Sequence, residues 1–95
     1  MTRPPRVSID LDAVTSAAEL HAVLRDALGF PAWYGANWDA FWDAITGLVD
    51  MPEYLQFSGW AGLATRLPGE AALLRRCLAN MTSLYPQLAP QVAFD

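Results

Sequence analysis

Three strand-like segments lie too far apart along the chain to pair as hairpins. Val7-Ser-Ile-Asp-Leu11 alternates apolar and polar residues, Tyr54-Leu-Gln-Phe57 is apolar and aromatic, and Gln91-Val-Ala-Phe94 is a last short run. Helical signals fill both gaps. Ser16-Ala-Ala-Glu19 is a capping box, and Leu20, Val23, Leu24, Ala27 and Leu28 form the apolar stripe of the helix it opens. Gly29 followed by Phe30-Pro31 stops that helix. A second helix is predicted over Asn37–Gly47. Beyond the middle strand, Trp60, Leu63, Ala64 and Leu67 have helical spacing in a short segment. Pro68-Gly-Glu70 then opens a longer helix with a stripe of Leu74, Cys77, Leu78, Met81 and Tyr85, closed by Pro86. The order is β-α-α-β-α-α-β. Strands separated by long helical connections predict a parallel sheet with right-handed crossovers, so the fold class is α/β.

The predicted second helix carries the most chemistry. Asn37 is a good N-cap, because its side-chain oxygen can accept from an orphan backbone N–H of the first turn. Gly47 sits where a left-handed C-cap would end the helix. At about 100° per residue, Trp38, Phe41, Trp42, Ile45 and Leu48 share one apolar face. Asp39, Asp43 and Thr46 fall beside Trp42, with Ala40 and Gly47 just beyond. Asp39 lies in the first turn, where the helix dipole stabilises a carboxylate. Asp43 sits mid-helix and repels Asp39 at i,i+4, so helix formation does not explain it. A merely solvated acidic face is the plain alternative to a binding surface.

Length supports a single domain over residues 1–95. Over half the residues are apolar, and a packed domain is expected rather than disorder. The apolar runs are too short to span a bilayer, and no secretion leader is expected before the first strand. Cys77 is the only cysteine, so no intramolecular disulfide can form; a cytoplasmic location is expected, with Cys77 in the core. The net charge of −4 excludes the basic footprint that nucleic-acid binding needs, and no membrane partner is expected. Between Arg25 and Arg66 there is no basic residue, while Asp26, Asp39, Asp43, Asp50 and Glu53 all fall there. That bias would steer a cationic partner.

Catalytic and metal chemistry find little support. His21 is the only histidine and is expected at a surface or boundary position. No histidine or cysteine cluster has zinc spacing. Asp39, Asp43, Asp50 and Glu53 could in principle hold a hard cation, but two oxygens on one rigid helix lack the surrounding loop such a site needs. No glycine-rich phosphate loop is present. Paired carboxylates acting as acid and base would require a cleft that separates their environments. No catalytic residue, metal or cofactor is expected. Carboxylates flanked by tryptophan and tyrosine instead have the composition of a protein interface, complementary to a cationic groove such as a nuclease active site.

At these residues the chain resembles the barstar family of ribonuclease inhibitors. The family's run of tyrosine, Tyr-Gly-x-Asn-x-Asp-x-x-Trp-Asp-x-x-Thr-Gly stands here as Trp33, Tyr34, Gly35, Asn37, Asp39, Trp42, Asp43, Thr46 and Gly47. Upstream, Leu20-His21, Leu24 and Pro31 are similar to the family's first helix and its exit. Beyond this region only the order of elements agrees. The resemblance implies a three-stranded parallel sheet packed by about four helices. It also implies that the second helix and the loop before it, Trp38 included, insert into a ribonuclease active site. The expected partner is thus a basic ribonuclease or related toxin, blocked by an immunity protein that is a monomer when free. A module that binds a different cationic toxin is the alternative. There are departures. Trp33 stands where the family has tyrosine, Trp38 where an aliphatic residue is usual, and Leu48 where an aromatic follows the glycine. The family adds a carboxylate from its last helix, and the aligned positions here are near Ala79 and Asn80.

Overall fold

The three strand segments pair as a fully parallel sheet. The computed structural model describes residues 3–95. In chain order the elements are β1 (Arg6–Asp10), α1 (Ala17–Leu28), α2 (Trp38–Asp43), a π-helical turn (Ala44–Leu48), β2 (Tyr54–Ser58), α3 (Trp60–Arg66), α4 (Pro68–Leu84) and β3 (Gln91–Phe94). The sheet order is β1-β2-β3, with Val7 opposite Leu55 and Leu55 opposite Val92. Both crossovers advance the same way across the sheet, and crossovers of one hand would put the helices on one face. The burial pattern agrees. Ile9, Leu55 and Phe57 are buried toward the helices, while Arg6, Ser8, Asp10 and Ser58 are exposed. The expected α/β architecture of three parallel strands and four helices is therefore present.

Local signals explain the helix bounds. Ser16 caps α1 by accepting from the Glu19 N–H at 3.1 Å. The Thr15 and Ser16 hydroxyls both donate to the Glu19 carboxylate, which holds its pKa below the usual carboxylate range. Gly29 ends α1 at φ 75, in the left-handed region, with its N–H on the Arg25 carbonyl. Pro68 opens α4, and Tyr85 leaves the helical region immediately before Pro86. The core beneath the sheet includes Leu11, Leu20, Leu24, Phe41, Leu55, Leu63, Leu74 and Met81, each fully buried. Phe41 and Leu20 bring α2 and α1 into the same core as the strands.

Three expectations need correction here. Gly47 is no left-handed cap: among the described residues the only glycines with positive φ are Gly29 and Gly59. The helix continues past Asp43 as a π turn, closed by the Val49 N–H on the Ala44 carbonyl, and stops where Val49 becomes extended. Bonding from i to i+5 widens the turn, so each residue advances by less than 100°. Leu48 consequently rotates off the apolar face and is 48% exposed, whereas Phe41, Ala44 and Ile45 stay buried. Tyr85 also leaves the apolar stripe, because it is the residue that turns α4 into the following loop; it is 40% exposed. Cys77 is half-buried against the core, and burial pushes its thiol pKa up.

Candidate functional site

The site is built from a rigid loop, a short helix and two supports that reach them from elsewhere in the chain. Asn37 is the hinge between loop and helix. Its Oδ1 accepts from the Ala40 N–H at 2.7 Å, and its Nδ2 donates to the Gly35 carbonyl at 3.2 Å. Both ends of one amide are thus used to fix the entry to α2. The loop folds back tightly enough that a Cβ on Gly35 would meet Asn37 Nδ2 at 3.3 Å and Ala40 Cβ at 3.4 Å. Ala36 bears φ 52, a left-handed conformation that costs a non-glycine residue roughly 1–2 kcal/mol.

On this scaffold Asp39 and Asp43 are both exposed. Among the described residues no hydrogen bond engages either carboxylate, and the ion pair found, Arg25–Asp26, lies on α1. Trp42 between them is half-buried and its ring lies 6.3 Å from that of Tyr85. Thr46 donates its hydroxyl to the Trp42 carbonyl at 2.7 Å, holding the first π-helical turn against α2. Gly47 is exposed at the far end of that turn. Trp33, on the loop before α2, is 73% exposed. The structure thus brings Trp33, Asp39, Asp43 and Gly47 to the surface, with Gly35 and Asn37 at the exposed loop. It leaves Tyr34, Trp38, Trp42 and Thr46 only partly accessible.

The supports were not evident from the sequence. His21 is not at a surface or boundary position; it is 3% exposed. The reason is geometric. It follows Leu20 and precedes Leu24 on the α1 stripe, and Trp38 and Tyr34 close over it. Its Nδ1 shares a 2.6 Å hydrogen bond with the Tyr34 hydroxyl, and its ring lies 4.5 Å from that of Trp38. The Tyr34 hydroxyl also donates to the Asn37 carbonyl at 3.4 Å. Burial pushes the His21 pKa down, opposed in part by the negative charge of Glu70. Burial likewise pushes the Tyr34 hydroxyl well above its usual range, so it stays neutral. Trp38, in turn, donates its indole N–H to Glu70 Oε2 on α4 at 2.7 Å. His21 and Glu70 together clamp the loop and the start of α2 from two helices. Glu70 could be read from the sequence only as a first-turn acid, since nothing local links it to a tryptophan in another segment.

Among the described residues no group of three or more His, Cys, Asp or Glu side chains is placed to hold a metal ion. Nor, among those residues, is any helix long and apolar enough to cross a membrane. What the geometry offers is a fixed surface on which the Asp39 and Asp43 carboxylates stand exposed beside Trp42.

Comparison with known proteins assigns the chain to a family. The chain is 58% identical over 33 residues to the protein of Bacillus subtilis (strain 168) named "Putative ribonuclease inhibitor YrdF", a match that covers 35% of this chain and 36% of that protein. A family sequence model described as Barstar (barnase inhibitor) matches residues 5–93, almost the whole chain, and the three-stranded parallel sheet with its four helices fits it. The chain belongs to the barstar family.

Proposed function

We propose that this protein inhibits a ribonuclease inside the cell by seating α2 and the preceding loop in the enzyme's cationic active site, and that it performs no catalysis itself. The observation that carries this reading is the pair Asp39 and Asp43. Both are exposed, neither is engaged by any described residue, and both stand on a helix that is capped, clamped and therefore costs little to order on binding. Two carboxylates held about one turn apart can occupy positions that RNA phosphates take in a nuclease groove, and they meet the same arginine and lysine donors there. Trp33 and Trp42 supply apolar contact beside the charges, as interface hot spots commonly combine them. Membership of a family described by barnase inhibition, and likeness to a protein named as a ribonuclease inhibitor, support the partner class.

The test is an RNA-cleavage assay with barnase as the enzyme. Cleavage should fall in proportion to added protein, reaching near zero at equimolar amounts. Full cleavage at a large excess of this protein would contradict the reading.

A further inference from the structure

A six-residue helix is about 9 Å long, while a stable interface covers about 800 Å² on each partner, a patch roughly three times that length across. The acidic ridge therefore needs neighbouring surface to complete it. The neighbouring surface on its C-terminal side carries exposed apolar side chains beside the polar groups of Arg3, Thr46 and Asp50. Among the described residues the exposed large hydrophobics are Trp33, Leu48, Leu84, Tyr85 and Leu88. Trp33 precedes α2; the other four lie on the π turn and at the exit of α4. Tyr85 continues the ridge directly, since its ring lies against Trp42. Leu48 and Leu88 line a groove of about 340 Å³ whose wall also includes Thr46 and Gly47, with Asp50 at its margin. The chain carries no charged residue from Cys77 to Phe94.

This groove is preformed. Arg3 in its lining donates to the carbonyls of Met51 and Pro52, each at 2.8 Å, and to those of Ala89 at 3.2 Å and Gln87 at 3.4 Å. One guanidinium thus ties the Gln87–Ala89 segment to the segment that enters β2, with its N–H donors aimed at backbone acceptors. Exposed leucines on a fixed surface continuous with an acidic ridge are costly to leave in water unless they are covered in use.

Building on the proposed inhibition, we infer that the partner-binding surface runs from Asp39 and Asp43 across Trp42 onto Tyr85, Leu84, Leu88 and Leu48. The partner is accordingly a ribonuclease whose cationic cleft is bordered on one side by exposed apolar or aromatic side chains. Acidic side chains read the cleft, and the α4 exit reads its apolar border. The two parts divide the kinetics, because charges act at a distance and apolar contacts act only once docked.

Binding kinetics with barnase test this, comparing the parent, Leu84→Ser/Leu88→Ser, Tyr85→Ser and Asp39→Asn. The serine variants should release barnase at least about tenfold faster, with the salt dependence of the on-rate unchanged. Thermal unfolding of Leu84→Ser/Leu88→Ser should stay close to the parent's, and Tyr85→Ser, which gives up its ring contact with Trp42, is compared at a temperature where it is fully folded. If the serine variants release as slowly as the parent while Asp39→Asn weakens binding, the apolar extension is wrong and the acidic-helix reading stands. If no form, parent included, binds or inhibits barnase, both readings fall together. If sedimentation equilibrium shows the free protein dimeric and Tyr85→Ser makes it monomeric, the surface is covered by a second copy and the inference is overturned.

Discussion

Trp38 and Glu70, distant in sequence, are joined by a 2.7 Å hydrogen bond from the indole N–H to the carboxylate. Through it the N-terminal turn of α4 holds the N-terminal turn of α2. Both partners are half-buried, so the bond is neither fully screened by solvent nor isolated from it. It uses neither the Asp39 nor the Asp43 carboxylate. The clamp therefore fixes the helix without consuming the charges that the partner needs.

The clamp should be measurable as a coupling. Trp38→Phe keeps the ring but removes the donor, and should cost about 1–2 kcal/mol in denaturant unfolding. A double-mutant cycle with Glu70→Ala should return a coupling of about 1 kcal/mol. Strictly additive losses would show that the bond holds nothing.

Stability should depend on the protonation of His21. Burial against Trp38 and Tyr34 lowers its pKa from 6.5, with Glu70 opposing the shift. The native state therefore binds fewer protons than the unfolded state between the two values. Its stability is fully present above about pH 6.5 and declines as pH falls through the lowered native value. The lowered pKa of Glu19 acts in the same direction, but only below its ordinary value of 4.5. Urea unfolding of the parent should thus weaken from pH 7 toward 5, and His21→Gln should flatten that slope. An unchanged slope in the variant would remove His21 from the account.

Relief of backbone strain should stabilise the loop. Ala36 adopts φ 52, which glycine accepts without a Cβ penalty. Part of that gain is offset because glycine is freer when unfolded. Ala36→Gly should therefore raise stability by up to about 1 kcal/mol and leave partner binding nearly unchanged. A loss of stability would mean that the alanine methyl makes a contact worth more than the strain.

The contrast between what could and could not be read from the residues has a physical basis. Strand spacing, the Ser16 and Asn37 caps and the Gly29 stop are encoded within a few residues, and the structure follows them. Periodicity at 100° per residue also placed Phe41 and Ile45 correctly. It fails at Leu48, and the cap expected at Gly47 fails with it, because a π turn changes the angular step and no local residue type announces that change. The burial of His21 depends on Tyr34 and Trp38 folding over it, and Trp38 depends on Glu70. Such contacts join three segments, and no pattern within one of them reveals the others. The exposure of Tyr85 was obscured because it fits the α4 stripe until Pro86 ends the helix.

The central claim is that Asp39 and Asp43 bind a ribonuclease through their charge. Its most direct test is stopped-flow association with barnase across ionic strength, comparing the parent with Asp39→Asn/Asp43→Asn. The parent's on-rate should fall steeply as the Debye length shrinks from about 30 Å at 0.01 M salt to about 3 Å at 1 M. The double variant should show a shallower dependence and bind at least about 2 kcal/mol more weakly, with an unchanged unfolding midpoint or a slightly higher one as the i,i+4 repulsion disappears. A parent on-rate that ignores salt, or a double variant that binds as tightly as the parent, would contradict the account and leave the acidic face merely solvated.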